Sequence, residues 1–309
     1  MFHPVFTRIA GAVALALAVS APLAAHATDR NDDMRCTSGS GDGASRLNQR
    51  FWQRSTLDIV GLTADGQLVC FTDKRPHRVK PIGMVNGLAG DNRLLAIDFR
   101  AQDGLLYGLG DGGGIYRIDT SNAIATSVGR LTVGLTGTST TIDFNPAANA
   151  LRIVGNDGQN LRQPFATTPL VATATDSPLN FTANATPGPT AAGIVGAAYT
   201  NNDVGAATST TLFVLDGAAD RVAVQSPANS GFLVASGSLG IDAVGPAGFD
   251  IYSLVRGDVT VAQRALLAAN VGGVVGLYDV DMLTGKASRR GSIGSASPVV
   301  SIAIPHRQE

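Results

Sequence analysis

Ile97-Asp98-Phe99, followed by Leu106-Tyr107-Gly108-Leu109-Gly110, returns forty-five residues later as Ile142-Asp143-Phe144 and Leu151-Arg152-Ile153-Val154-Gly155, with no insertion between the two strings. A fixed period of this length means one supersecondary unit stacked several times. In the clearest copy, apolar runs at 94–99, 105–109, 115–118 and 124–131 are separated by Asp103-Gly104, Asp111-Gly112 and Ser121-Asn122. Short apolar runs broken by such turn pairs read as a four-stranded antiparallel sheet.

Further copies extend the pattern. A third unit spans 140 to about 172, a fourth 194–239 and a fifth about 248–293, where Leu277-Tyr278-Asp279-Val280-Asp281 overlies Ile115-Tyr116-Arg117-Ile118-Asp119. The first unit is short of one strand. Val60-Gly61-Leu62 and Leu68-Val69-Cys70-Phe71 overlie the second and third runs of the next unit, but nothing stands for Ile97-Asp98-Phe99. An orphan run, Val299-Val300-Ser301-Ile302-Ala303-Ile304, waits at the other end of the chain. If it completes the first unit, the ring closes without an open edge. The expectation is therefore an all-β, five-bladed β-propeller closed by the C-terminal strand joining the first blade. Six blades remain an alternative if 173–192 holds strands, as does a sandwich of the same hairpins. Pro178, Pro187 and Pro189 make 173–192 read as a long inter-blade loop. Residues 262–270 have helical propensity, yet their place in the repeat argues for a strand or an excursion. The stretch 253–272 fits the period least.

The 309 residues are 44% hydrophobic and 15% charged, with a formal net charge of −1. Such a chain is too apolar for disorder and has no basic cluster with interleaved aromatics, so nucleic acid is not an expected partner. Arg8, the apolar 9–23 and Ala25-His26-Ala27 have the form of a signal peptide over 1–27. The apolar run is short for a span of about 20 residues, and no later stretch is long enough to cross a bilayer. An exported protein, periplasmic or extracellular, is expected. Residues 28–55, with Ser38-Gly39-Ser40-Gly41-Asp42-Gly43, read as a flexible arm preceding a single propeller domain over 56–305. In an oxidising compartment Cys36 and Cys70 can form a disulfide pinning that arm; two unpaired thiols are the other reading.

Chemistry-bearing residues are few. Only His77 and His306 follow the signal peptide, which leaves no multi-histidine zinc site and scant material for a Ser–His–Asp triad. Asp98, Asp143 and, at the corresponding place in the fifth unit, Asp250 sit on the runs expected to line the channel. They can converge on a hard cation, Ca or Mg, through oxygen ligands. Alternatively each carboxylate bonds backbone N–H groups of its own blade, and recurrence at equivalent positions favours this fastener. Two amide-rich loops break the symmetry: Thr200-Asn201-Asn202-Asp203, in a connection about six residues longer than its counterpart in unit two, and Asn156-Asp157-Gly158-Gln159-Asn160. Asn201, Asn202, Asn156, Gln159 and Asn160 suit hydrogen bonding to a sugar or peptide, although Asn is also an ordinary turn residue. The two loops should emerge on opposite faces.

Taken in order, Val60-Gly61-Leu62-Thr63-Ala64-Asp65, Ala96-Ile97-Asp98-Phe99-Arg100, Ile142-Asp143-Phe144-Asn145-Pro146, Gly158-Gln159-Asn160-Leu161-Arg162, Ala197-Ala198-Tyr199-Thr200-Asn201-Asn202 and Gly248-Phe249-Asp250-Ile251 form a recognisable series. The chain resembles an exported bacterial family known only as a domain of unknown function with propeller-like repeats. The resemblance covers roughly 57–304 and implies one exported domain; it brings no activity or catalytic residues. The first functional expectation is a non-enzymatic binding or scaffold module for a carbohydrate, a peptide or an envelope protein. The alternative is a metal-assisted hydrolase or lactonase-like enzyme with a divalent cation in the channel; five-bladed propellers host both classes.

Overall fold

The structure, a computed structural model, describes residues 56–181, 188–205 and 207–308. The proposed signal peptide, the arm and Cys36 lie outside the described residues. Five sheets account for every named strand. Blade 1 holds β1 (Asp58–Thr63), β2 (Gln67–Thr72) and β3 (Arg75–Met84); blade 2 holds β4 (Leu94–Phe99), β5 (Leu106–Gly110), β6 (Gly114–Ile118) and β7 (Ala125–Arg130). Blade 3 consists of β8 (Thr140–Asn145), β9 (Ala150–Gly155), β10 (Asn160–Pro164) and β11 (Ala174–Thr175). Blade 4 adds β12 (Asn180–Phe181) to β13 (Ile194–Tyr199), β14 (Leu212–Asp216), β15 (Arg221–Gln225) and β16 (Phe232–Ser238). Blade 5 holds β17 (Val244–Arg256), β18 (Val259–Val271), β19 (Val274–Val280) and β20 (Ala287–Ser292).

The last strand, β21 (Val299–Ala303), pairs antiparallel with β1 and becomes the innermost strand of blade 1, with Val60 opposite Ala303 and Leu62 opposite Ser301. The inner strands β21, β4, β8, β13 and β17 neighbour one another in that order, and β17 returns to β21. The chain is a five-bladed propeller closed as the repeat requires. Gly248 shows how tightly: a Cβ there would meet Ile302 N at 2.5 Å, so the innermost strands of blades 5 and 1 approach main chain to main chain.

The apolar core is five clusters, one at each blade interface. Blades 5 and 1 share Tyr252, Leu254 and Leu266 against Ile59, Phe71 and Ile302, all nearly solvent-free. Between blades 3 and 4 a polar knot accompanies the apolar contacts. Arg152, 2% exposed, donates to Asn160 Oδ1 at 2.7 Å, Asp176 Oδ2 at 2.8 Å and Asn229 Oδ1 at 2.6 Å. A second, partly buried network links blades 1 and 5, where Arg264 bridges Asp73 and Asp279, each at 2.8 Å. Burial raises the pKa of both carboxyls against the pull of Arg264.

Two expectations need correction. The stretch 173–192 is not wholly a loop: β11 closes blade 3 and β12 pairs parallel with β16 as a fifth strand of blade 4. Two-residue strands leave no alternation to read. Blade 3 accordingly runs to Thr175 rather than to about 172. Residues 262–270 are a strand, as their place in the repeat argued: they belong to β18, which pairs with β17 as a hairpin of two thirteen-residue arms interrupted by register shifts. Cross-strand packing overrides the helical preference of its alanines and leucines.

Candidate functional site

The three repeated aspartates meet. Carboxylate oxygens of Asp98, Asp143 and Asp250, contributed by β4, β8 and β17, lie within 4.8 Å of one another. Each residue is 5% exposed or less. Blades 4 and 1 carry Ala198 and Ala303 at the corresponding positions, so the ring of inner strands presents acids from three blades only.

Backbone donors hold them in a repeating way. Asp98 Oδ2 accepts from Phe144 N at 2.7 Å, Asp143 Oδ1 from Tyr199 N at 2.9 Å and Asp250 Oδ2 from Ile304 N at 2.6 Å. Each carboxylate thus reaches the inner strand of the next blade, where the sequence suggested its own. Where the preceding blade offers only alanine, the acid also serves its own strand: Phe99 N donates to Asp98 Oδ1 at 2.8 Å and Ile251 N to Asp250 Oδ1 at 2.5 Å. Fastening and convergence, weighed as alternatives, occur in the same three side chains. Asp143 differs, because its second oxygen accepts no hydrogen bond from the described residues.

No basic side chain pairs with the triad among the described residues. Burial, and then the charge of Asp250, raise Asp98 well above the usual carboxylate range. Burial raises Asp143 likewise, reinforced by both neighbouring acids. Burial pushes Asp250 up to about 6 against two backbone donors. Three carboxyls so placed stabilise one another only by keeping protons or by sharing a cation. Oxygens bound to one calcium at 2.3–2.6 Å lie no more than about 5 Å apart, which the triad satisfies.

The amide residues fall elsewhere. Asn156 accepts from Thr138 N at 3.0 Å and donates to Thr138 Oγ1 at 2.9 Å, and Gln159 donates to Gly134 O at 2.8 Å. Both tie the loop before β8 to the β9–β10 turn. Asn160, 1% exposed, belongs to the Arg152 knot and donates to Ser177 O and Ala228 O, each at 3.0 Å. Replacing Asn160 by Ala should lower stability by about 2 kcal/mol, the cost of leaving several buried partners unpaired. Urea unfolding measures it, and a shift below a few tenths of a kcal/mol would refute that role.

Asn202 donates to Ile251 O at 2.8 Å. Asn201 donates to Ser209 O at 2.6 Å and accepts from Gln263. Asn201 also lines a cleft of about 700 Å³ between blades 4 and 5, together with Phe213, Val261, Gln263, Asp281 and Leu283. Two local enlargements build it. The β13–β14 connection has 12 residues where β4–β5 has 6 and β8–β9 has 4, and β17 and β18 each run to 13 residues. Sequence reading found the first wall through the lengthened loop and missed the second, hidden in the segment that departs from the period.

Two other residues resolve differently. His306 is half-buried, with Nε2 3.0 Å from Phe99 O, and desolvation lowers its pKa. Cys70 is buried and disulfide-bonded. No helix among the described residues is long and apolar enough to cross a membrane.

No curated protein matches the chain. Among solved structures, it resembles a protein from Lactobacillus plantarum at 16% identity and TM-score 0.36, covering 77% of this chain and 67% of that one. A structural genomics protein of unknown function from Bacteroides thetaiotaomicron aligns at 11% identity and TM-score 0.44, over 74% of this chain and 54% of that one. An auxiliary nutrient binding protein from Bacteroides ovatus aligns at 14% identity and TM-score 0.37, over 58% and 46%. Residues 67–303 match a family described as a domain of unknown function (DUF4394), and the chain, matched over most of its length, belongs to that family.

Proposed function

We propose that this protein is an exported, non-enzymatic binding module that takes a carbohydrate, a peptide or an envelope protein into the cleft between blades 4 and 5. One observation carries the reading. The two places where the blades depart most from their repeat, the long β13–β14 connection and the long β17–β18 hairpin, face each other across about 700 Å³. Structure that serves only closure repeats from blade to blade, whereas a site for one ligand needs a wall that does not. Exposed apolar Val261 and Leu283 beside Asn201 and Gln263 supply the mixture of contact and hydrogen bonding typical of ligand pockets.

The test is binding by the full chain to an array of bacterial-envelope oligosaccharides and to a displayed random-peptide library, in parallel with Val261→Glu. Val261 is 47% exposed, so the substitution should leave the melting temperature unchanged. A ligand whose affinity falls at least tenfold on Val261→Glu is the expected result. Binding indifferent to that substitution overturns the reading.

The channel triad supports a second element, a divalent cation held by Asp98, Asp143 and Asp250. The Asp143 oxygen that accepts no hydrogen bond among the described residues, on a side chain facing two like charges, favours a cation there. Catalytic metals keep a coordination position open to substrate. Such deep burial favours an ion that locks three blades together over the hydrolase alternative.

A further inference from the structure

The β18 strand is longer than its outer partner. On one side it pairs with β17 from Val259 to Asn270, with register shifts, but on the other β19 covers only Ala265 to Val271. Among the described residues, 259–264 therefore have no neighbouring strand on the side away from β17. Alternate residues of an antiparallel strand direct both N–H and C=O to the same side, so this edge presents main-chain groups outward. Where something meets the edge, it is a hydrogen-bond acceptor from another blade: Asp203 Oδ2 takes Thr260 N at 3.0 Å and Thr260 Oγ1 at 2.6 Å. Beyond Thr260 the strand runs along the cleft wall as far as Ala265.

We infer that an extended peptide adds to this edge as a further strand of blade 5, with its backbone paired to 261–264 and its side chains in the cleft. The inference rests on the cleft being the ligand site and names its occupant. Val261, 47% exposed and standing at the register shift of β18, lines the cleft together with Leu283, 85% exposed. The two suit apolar side chains in the peptide. Asp281 marks the end of the groove where β19 gives out. Backbone donors from Thr284 and Leu283 hold its carboxyl below the usual range, leaving an exposed negative charge for a basic residue. Strand addition draws affinity from main-chain hydrogen bonds and selectivity from alternating pockets, and this wall supplies both.

The experiment uses displayed random dodecapeptides selected on the full chain. The best binder is then synthesised in two forms, N-methylated at odd or at even residues. Strand addition predicts that one form loses at least tenfold in affinity while the other keeps it, because only one phase donates to β18. It further predicts selection of alternating apolar residues with a Lys or Arg that loses its advantage on Asp281→Asn. Peptides whose affinity falls on Val261→Glu yet which tolerate both methylation phases overturn strand addition while leaving the cleft as the site. Oligosaccharide binding at the cleft without peptide binding has the same consequence. Ligands of either kind that ignore Val261→Glu remove the cleft reading itself.

Discussion

Ending the chain after Ser297 should leave a protein with no cooperative unfolding transition. The truncation removes β21, whose Val299, Ile302 and Ala303, with Ile304 just beyond, are 2% exposed or less. Burying each valine or isoleucine contributes about 1.5–3 kcal/mol. Blade 1 loses its innermost ladder to β1, and the clusters on either side lose their shared wall. Asp250 loses the Ile304 donor, leaving a buried carboxylate oxygen without it. Against a typical domain stability of about 5–15 kcal/mol the combined loss is close to the whole. A propeller with one inner strand missing also exposes β1 as an unpaired edge, so aggregation should follow. Urea titration followed by far-ultraviolet circular dichroism checks this. A synthetic peptide copying 296–309 should restore a cooperative transition when added to the shortened chain. A truncated protein that melts cooperatively near the intact one would show that the ring does not depend on this strand.

That dependence was legible because the repeat offset exposed a missing strand at one end and a spare one at the other. Apolar alternation repeated at a fixed distance survives translation into structure wherever strands are five or six residues long. It failed where strands are very short or long. In β3, Pro76 and Pro81 break the alternation, as an outermost strand with one free edge tolerates. The two-residue β11 and β12 carry no pattern. The β17–β18 hairpin overruns the period, which concealed the cleft wall at Val261 and Gln263. Asp98 and Asp143 announced themselves by position, but their hydrogen bonds go to main-chain N–H groups of the next blade, and any residue type can donate there. Arg152 gave a signal that went unread: a charged residue inside the apolar run Leu151-Arg152-Ile153 has to find buried partners. The Asn160 string beside it held one of them.

Raising the pH from 4 to 8 in chelator should destabilise the triad, and calcium should reverse the loss. The folded protein holds the protons of Asp98, Asp143 and Asp250 more tightly than the unfolded chain does, since all three pKa values are raised. Their contribution is therefore neutral below the unfolded value near 3.9 and becomes an increasing penalty as pH climbs through the folded values. For Asp250 the window runs from 3.8 to about 6, a shift worth on the order of 3 kcal/mol. The other two carboxyls add penalties of the same sign. Carboxyls held low by backbone donors, such as Asp281, act in the opposite sense and lose their contribution as pH falls, so the triad must be isolated by substitution. Asp143→Asn keeps an oxygen for Tyr199 N and removes the charge. At pH 8 in chelator the variant should be more stable than the wild type, and at pH 4 the two should coincide. Calcium at about a hundred times its dissociation constant should stabilise the wild type by about 2.7 kcal/mol and the variant hardly at all. If the two proteins follow the same pH curve, the acids are not strained by one another. If calcium shifts both equally, the ion binds elsewhere, and the channel is held by its hydrogen bonds alone.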